Sequence, residues 1–508
     1  MYKYNRVILH GKCVGEAITQ LRASADFYYR PVDFAADDDG NDPAAEKEST
    51  KSSKICCIKK HKAAFLIATC QLEVVGYNVG EKEMNPESRH IVPPRLKRER
   101  RKIIREKLKN RVPVNVLFLM TRISTWSWDG LYRRFSEDER FNPTICVIPW
   151  VHDGYDEMCC YMDQAYLALT DKGYHVLRAY DVNVKEYFDL KQLEPDLIFH
   201  EIAWYRHVDP DYYIANFDGA LNYLIDYGAS GAFNPDGHCN LGGHHMADQV
   251  FLPSQTELSF YRRFSDTGGK NGVFLGYPKL DALFDPSYQP KTSWREQKTE
   301  KKKVIWAPHF LFFADDLYRT STFVQLYEIM LEIAEKYQDS IQFAFKPHPM
   351  LKNALYEQRF GEDEPWGKEK TEEYYSQWSN LPNCQYEDGE FIDLFLTSDA
   401  MIFDSISFMS EYACTGKPGL FTIAPTSCLE FDDFGAQAFE TLYKCSAVKK
   451  EIEDFLENIV LAGKDPMKKE RQNFVRKNMQ PPGGRLASEN IYRYVIEDMT
   501  REIPDAGC

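Results

Sequence analysis

Three short groups of residues carry side chains suited to holding a charged oxygen ligand. Lys346-Pro347-His348-Pro349 sets a permanent cation two residues before an imidazole, with prolines stiffening the backbone between and after them. A rigid Lys-x-His of this kind suits a phosphate anion. Asp404-Ser405-Ile406-Ser407 precedes a helix-like segment, 408–415, so Ser405 and Ser407 fall at or near its N-cap. Free backbone N–H groups and the positive end of the helix dipole collect there, and hydroxyls at that place can cradle a diphosphate. Glu411, four residues past Ser407, lies one turn along the same face and is placed to accept from ribose hydroxyls. His309, in Pro308-His309-Phe310, is the third candidate. Each group has a plain structural reading: Pro-His-Pro is common in loops, and Asp-Ser-x-Ser before a helix is most often a cap. What raises them above it is their position.

Each group follows an apolar run that reads as a buried strand: 304–307, 341–345 and 400–403. A further run, 419–422, follows Gly416-Lys417-Pro418. Between the first two lies a helix whose Phe323, Leu326, Met330, Ile333 and Tyr337 step by three and four. Helices are also expected over 448–460 and 486–499, the last after the Pro481-Pro482-Gly483-Gly484 break. Upstream, runs at 114–120, 144–149, 175–180, 196–200, 249–253 and 272–276 repeat the alternation. Short apolar runs alternating with helical stretches predict parallel sheets covered on both faces. The expected class is therefore α/β, with two doubly wound Rossmann-like lobes, 112–290 and 300–484, a central cleft and a closing helical segment, 485–508. Ligands of such sheets sit at the carboxyl ends of the strands.

Two segments precede these lobes. Residues 1–92 show a weak β-Gly-α-β pattern, with runs at 6–10, 26–34 and 63–69 and an acidic, then Ser/Lys-rich stretch over 35–53. This predicts a small Rossmann-like accessory lobe with a flexible loop. It lacks a complete G-x-G-x-x-G, so no cofactor is expected. Residues 93–111 form a basic linker helix, in which Leu96, Ile103, Ile104 and Leu108 share roughly one face. Two readings stand: a helix docked on a neighbouring lobe, or one lying on anionic lipid at the inner face of the membrane.

Composition narrows the class. The 508 residues are 44% hydrophobic and 27% charged, and a formal net charge of -15 excludes a general nucleic-acid binder. No apolar run approaches the roughly 20 residues needed to span a bilayer. The 13 cysteines are scattered, with no C-x-x-C pair, which predicts reduced thiols and a cytoplasmic protein.

In this order the residues resemble the CDP-glycerol glycerophosphotransferase family, which includes teichoic acid polymerases and primases. Ala307-Pro308, Lys346-Pro347-His348-Pro349, Asp404-Ser405-Ile406-Ser407 and Lys417-Pro418 look like its C-terminal-lobe motifs. Gly276, Pro278, Lys279 and Asp281 are similar to its Gly-x-Pro-(Arg/Lys)-x-Asp segment, and 484–491 to its closing segment. The resemblance implies a GT-B-type transferase. An acceptor hydroxyl attacks the β-phosphorus of a CDP-linked alcohol, CMP leaves, and the product extends a lipid-linked or polymeric precursor of cell wall or capsule. It makes Lys346, His309, Asp404, Ser405, Ser407 and Glu411 donor-binding candidates and His348 a catalytic one.

The family's Trp-His-Gly, whose histidine activates the acceptor, is absent; nearest by position are Asp226-Tyr227-Gly228 and Gly242-Gly243-His244-His245. His244 and His245 are the candidates for the base. The set Asp236, His238, Cys239, His244 and His245 matches no standard zinc spacing, so no metal is expected. Trp126 and Trp128 read as packing aromatics, with stacking on an acceptor as the other option. The rival functions are a nucleotide-sugar glycosyltransferase or UDP-sugar 2-epimerase on the same scaffold, and a non-catalytic protein that kept the shell.

Overall fold

The computed structural model describes four strands within residues 4–78 and the stretch 94–501, apart from 226–227, 230, 312–318, 358–365, 426 and 428. It divides into two units, Met1–His90 and Ile91–Cys508.

In the first unit, β1 (Tyr4–His10), β2 (Tyr28–Tyr29), β3 (Ser53–Lys59) and β4 (Glu73–Asn78) form one sheet in the order β2-β3-β1-β4. Every pairing is antiparallel. This corrects the expected Rossmann-like accessory lobe, whose strands would run parallel. The expected strand over 63–69, and the 35–53 loop up to its last residue, lie outside the described residues.

The second unit opens with the basic helix, Pro94–Lys109. Its cations hold it to the following lobe: Arg100 and Lys97 reach Asp248 at 3.2 and 3.1 Å, Lys107 reaches Asp196 at 2.7 Å, and Arg101 reaches Asp498 at 2.8 Å. Ile104 is buried and Leu108 packs beside it, but Ile103 is 54% exposed. Ile104 and Leu108 are four apart and share a face, whereas neighbouring residues differ by about 100° around the axis, so the expected four-residue stripe is narrower than the sequence suggested.

The first lobe follows. β5 (Val114–Met120), β6 (Phe141–Val147), β7 (Val176–Arg178), β10 (Leu197–His200), β11 (Leu221–Ile225), β12 (Gln249–Leu252) and β13 (Gly272–Phe274) lie in the order β13-β12-β11-β10-β5-β6-β7. A small hairpin, β8 (Tyr180–Asp181) with β9 (Glu186–Tyr187), stands apart. All seven strands are parallel. β5 is almost continuously buried because helices or loops cover both faces, which is why it reads as an unbroken apolar run. Trp126 and Trp128 belong to this lobe's core, against Phe118.

In the second lobe β14 (Lys302–Ala307), β15 (Ile341–Phe345), β16 (Cys384–Tyr386), β17 (Ala400–Phe403), β18 (Gly419–Ile423) and β19 (Tyr443–Ser446) pair in parallel in the order β16-β15-β14-β17-β18-β19. Renumbered within the lobe this is 3-2-1-4-5-6, the doubly wound order whose ligand crevice opens where the winding reverses, between the first and fourth strands. The first lobe reverses in the same way between β5 and β10.

The chain then returns. The helix Ala487–Thr500 buries Ile491, Val495 and Met499 in the first lobe's core. Asp281 accepts from the N–H groups of Ala487 and Ser488 at 2.7 and 3.0 Å, closing the start of that helix. Gly276 sits at φ 99°, pressed against Pro481 and Ala487, where a Cβ would clash. The Gly276–Asp281 segment thus anchors the returning helix. The lobes also touch directly. Ala232 bridges to Phe431, Phe233 donates to the Glu430 carbonyl at 3.0 Å, and Gly231 accepts from Asp432 at 3.1 Å. A Cβ on Gly435 would land on the Gly231 carbonyl.

Candidate functional site

The three groups singled out from sequence leave the adjacent strands β15, β14 and β17, at the reversal of the second sheet. The ring centroids of His309 and His348 are 4.6 Å apart, nearly edge to face, and Phe310 lies 4.5 Å from His348. Nδ1 of His348 accepts from the Met350 N–H at 3.1 Å, and Nδ1 of His309 from the Leu311 N–H at 3.3 Å. Burial lowers the basicity of both, His309 to about 3 and His348 well below the ordinary imidazole value, the latter helped by His309 and by Arg122 of the first lobe. Two neutral imidazoles that accept at Nδ1 carry their protons on Nε2. The pair therefore offers two N–H donors to an oxygen ligand. Arg122 leaves β5 at the reversal of the first sheet, as His348 leaves β15 beside the reversal of the second.

Lys346, two residues before His348, is buried. Its Nζ donates to the Gly389 carbonyl at 2.5 Å, and burial, opposed by Glu387, Asp388 and Glu390, lowers it to about 8. It stays a cation at neutral pH. Ser405 occupies the N-cap of the helix Ile406–Ala413, but its hydroxyl caps no backbone N–H and instead meets Ser407 Oγ at 3.1 Å. The hydroxyls and the first-turn N–H groups thus form one polar rim after β17, the strand next to the one that leads to His309.

Two of the donor-side candidates have other work. Asp404 is fully buried and accepts from the His309 N–H and the Thr322 N–H, each at 2.6 Å, and from the Thr322 hydroxyl at 2.8 Å. Burial raises it to about 6 against those bonds. It braces the loop that carries His309 and has no oxygen to spare for a ligand. Glu411 is also buried, its carboxyl raised by burial, with Lys279 3.5 Å away. Lys279 in turn lies 4.8 Å from the Phe391 ring. Glu411 therefore ties its helix to the interlobe segment through this ion pair, while its buried Oε1 has no hydrogen-bond donor.

The histidines proposed for the base lie elsewhere. His244 is 1% exposed, with its ring against Tyr261 and its carbonyl accepting from Tyr261 and Asn271. Asn271 directly precedes β13, while the neighbouring Gly243 donates to the carbonyl of Ala203, beyond the end of β10, at 3.3 Å. Nε2 of His245 faces Asn240 Oδ1 at 3.4 Å. Neither joins the histidines of the second lobe. Asp226 and Tyr227 are outside the described residues. Among the described residues no group of three or more His, Cys, Asp or Glu is placed to hold a metal ion.

Sequence reasoning missed the corresponding edge of the first lobe. Thr121 and Arg122 follow β5, Trp150, His152 and Asp153 follow β6, and Glu201, Trp204 and His207 follow β10. These strands are adjacent and span the reversal of the sheet. Oε1 of Glu201 accepts from the Thr121 N–H and hydroxyl at 2.7 and 2.8 Å and from the Thr125 hydroxyl at 3.0 Å, while buried Oε2 accepts from nothing. Burial raises this carboxyl to about 7 despite those donors. By contrast, a groove of about 470 Å³ beside Lys107, Asp196 and Asp218 lies at the amino ends of this sheet, away from both reversals.

No family model matches the chain. The teichoic acid ribitol-phosphate polymerase TarL of Staphylococcus aureus (strain NCTC 8325 / PS 47) is 25% identical over 228 residues, 42% of this chain and 37% of that protein. TarK of the same strain is 25% identical over 228 residues, 42% of this chain and 40% of its own length. The chain thus spans well under half the length of these curated relatives. Among solved structures, S. aureus MnaA with UDP superposes with a TM-score of 0.47 at 14% identity over 78% of this chain and 100% of that one. A variant of the wall teichoic acid polymerase TagF gives 0.45 at 11% over 84% and 98%. Over those 228 residues the chain is thus similar in sequence to teichoic acid ribitol-phosphate polymerases, and its own architecture is two parallel, doubly wound, Rossmann-like sheets.

Proposed function

We propose that the chain is a transferase that moves glycerol phosphate, or a similar alcohol phosphate, from a CDP-linked donor to a cell-surface polymer or glycolipid precursor. What supports this reading is that Lys346 and His348, His309, and Ser405 with Ser407 follow three adjacent strands at the reversal of the second sheet, with the two imidazole rings 4.6 Å apart. A diphosphate carries its charge on several oxygens, and this edge presents one cation, two imidazole N–H groups, two hydroxyls and a helix N-terminus. The acceptor oxygen forms a bond to the β-phosphorus, the bond from that phosphorus to the bridging oxygen breaks, and CMP leaves with the electron pair. The hydroxyl proton passes to a base on the opposing lobe. Donors fixed before the reaction stabilise the charge moving onto the bridging oxygen. His348, neutral and aimed by Met350, acts here as a hydrogen-bond donor rather than as a base.

The similarity to TarL and TarK supports the phosphoalcohol class over a nucleotide sugar. The work is set on the inner face of the cell membrane, reached through the outer side of the basic helix, where Lys102, Ile103 and Lys109 are exposed. No helix among the described residues is long and apolar enough to cross a membrane.

A donor panel tests the proposal. CMP released from CDP-glycerol or CDP-ribitol in the presence of a membrane acceptor is the expected result. UDP released from a UDP-sugar, or no binding of any CDP-alcohol by calorimetry, overturns it.

A further inference from the structure

The first lobe gathers basic side chains at its own reversal. Arg122 lays its guanidinium over the Trp150 ring, 4.2 Å from the centroid, and has Tyr161 on another side at 5.5 Å. Its nearest carboxylate oxygen, on Asp153, is 3.8 Å away, beyond a hydrogen bond, and that same oxygen already accepts from the Trp150 ring N–H at 2.9 Å. Nε of Arg122 is buried with no acceptor.

Two imidazoles stand beside this guanidinium. The rings of His152 and His207 are 4.5 Å apart, and His207 is 4.8 Å from Trp150. Nδ1 of His207 is buried and accepts from or donates to nothing. The backbone fixes the arrangement: Trp150 bridges to Val208, and Val151 donates to the His207 carbonyl at 3.0 Å, so the loops after β6 and β10 are laced together. His207 is less basic than a free imidazole, first through burial, then through His152, with Arg122 adding to it and Asp153 opposing. Arg122, His152 and His207 thus gather round Trp150, with Asp153 as a partly committed carboxylate and the buried Glu201 carboxyl, raised to about 7, within reach of the Arg122 charge. An anion lying against the Arg122 guanidinium would find a permanent cation and imidazole N–H donors in one place.

We propose that Arg122, His152 and His207 form a second anion site, on the first lobe, that holds a phosphate group of the acceptor opposite the diphosphate of the donor. The planar guanidinium, kept flat by Trp150, matches two phosphate oxygens, and the imidazoles add N–H donors. This deepens the transferase reading and rests on it: the acceptor class is a phosphate-bearing polymer or lipid end rather than a neutral sugar. Arg122 and His348 each follow a strand at or beside the reversal of its own sheet, and the Arg122 charge adds to the lowering of His348.

Calorimetric titration of the intact protein with sn-glycerol 3-phosphate, with glycerol as the neutral control, tests the site. CMP at saturation fills the donor side during the titration. The expected result is binding of glycerol phosphate but not glycerol in the presence of CMP, weakened at least tenfold by Arg122→Gln and by His207→Gln. His152→Gln, on an exposed side chain, carries the test should either variant fail to fold, with a smaller but measurable loss. Binding that CMP abolishes, binding unchanged in these variants, or no binding at all overturns the second site. Failure of CMP itself to bind, with glycerol phosphate still bound through Arg122, leaves the site standing and overturns the donor reading instead.

Discussion

Each sheet ends its reversal on a buried carboxylate, and the two are wired differently. Asp404, after β17, gives both oxygens to backbone and hydroxyl donors. Glu201, after β10, gives one oxygen to three donors and leaves the other bare. Both are raised by burial, Asp404 to about 6 and Glu201 to about 7. The second lobe uses its carboxylate as a brace under a rigid rim of donors. The first lobe keeps an oxygen unspent, on a carboxyl that the Arg122 charge reaches. A rigid edge suits the invariant diphosphate of a nucleotide, and a less committed one suits a ligand of variable length.

The sharpest way to break this contrast is at the rim. His348→Ala should lower turnover of a CDP-alcohol by at least a hundredfold with the fold intact, measured by CMP release alongside circular dichroism, because a donor fixed at the developing charge is lost. Near-normal turnover would remove the second lobe's edge from the chemistry. Next comes the brace. Asp404→Ala leaves two N–H groups and a hydroxyl without an acceptor and should cost about 3 kcal/mol in denaturant unfolding, together with donor affinity. A cost below 1 kcal/mol would mean the loop is held by something else.

Glu201 separates from Asp404 by its response to pH. Its folded value, about 7, lies above the ordinary carboxylate value, so the fold disfavours the ionised form. The stability of the native chain on this account falls as pH rises through that interval and is level above it. Glu201→Gln removes the ionisation. Relative to the native chain the variant should gain stability as pH rises from 5 to 8, by at most about 3 kcal/mol. Thermal melts across that range check the sign; a constant difference would mean that the folded carboxyl ionises like the unfolded one and is not raised. The smallest effect concerns the basic helix. Lys102→Glu with Ile103→Ser should leave unfolding within about 0.5 kcal/mol of the native chain. The same pair should reduce co-sedimentation with vesicles containing anionic lipid. Unchanged sedimentation would confine this helix to its docking role.

Much of the second lobe was legible because its central strands are buried on both faces and read as plain apolar runs. The expected bounds 341–345 and 400–403 are those observed, as are 114–120 in the first lobe. The residue after each strand then named the rim. β16 (CQY) and β19 (YKCS) were missed because they are short, polar and near the sheet's edges. β11 (LNYLI) was missed although it is wholly buried; its Asn222 interrupts the apolar run and accepts from or donates to His200 at 2.9 Å inside the lobe. The expected run 144–149 begins earlier, at Phe141, and ends before Pro149, which has no N–H to offer a partner strand. The cluster of the first lobe was readable by the same rule, since Thr121-Arg122 and Glu201 directly follow two expected strands. What hid it is that Arg122, His152 and His207 each look like an ordinary loop residue, and only the order of β6, β5 and β10 in the sheet makes them neighbours.

The helix that returns to the first lobe also dictates an order of assembly. Ile491, Val495 and Met499 complete the core around Phe118 and Phe199, yet the ribosome delivers them only after every strand of the second lobe. The earlier-made half must therefore wait, with an apolar groove uncovered, while the later-made half closes first. During synthesis, the vulnerable species is a chain whose leading lobe still lacks its last wall, and that is where a chaperone would find something to hold.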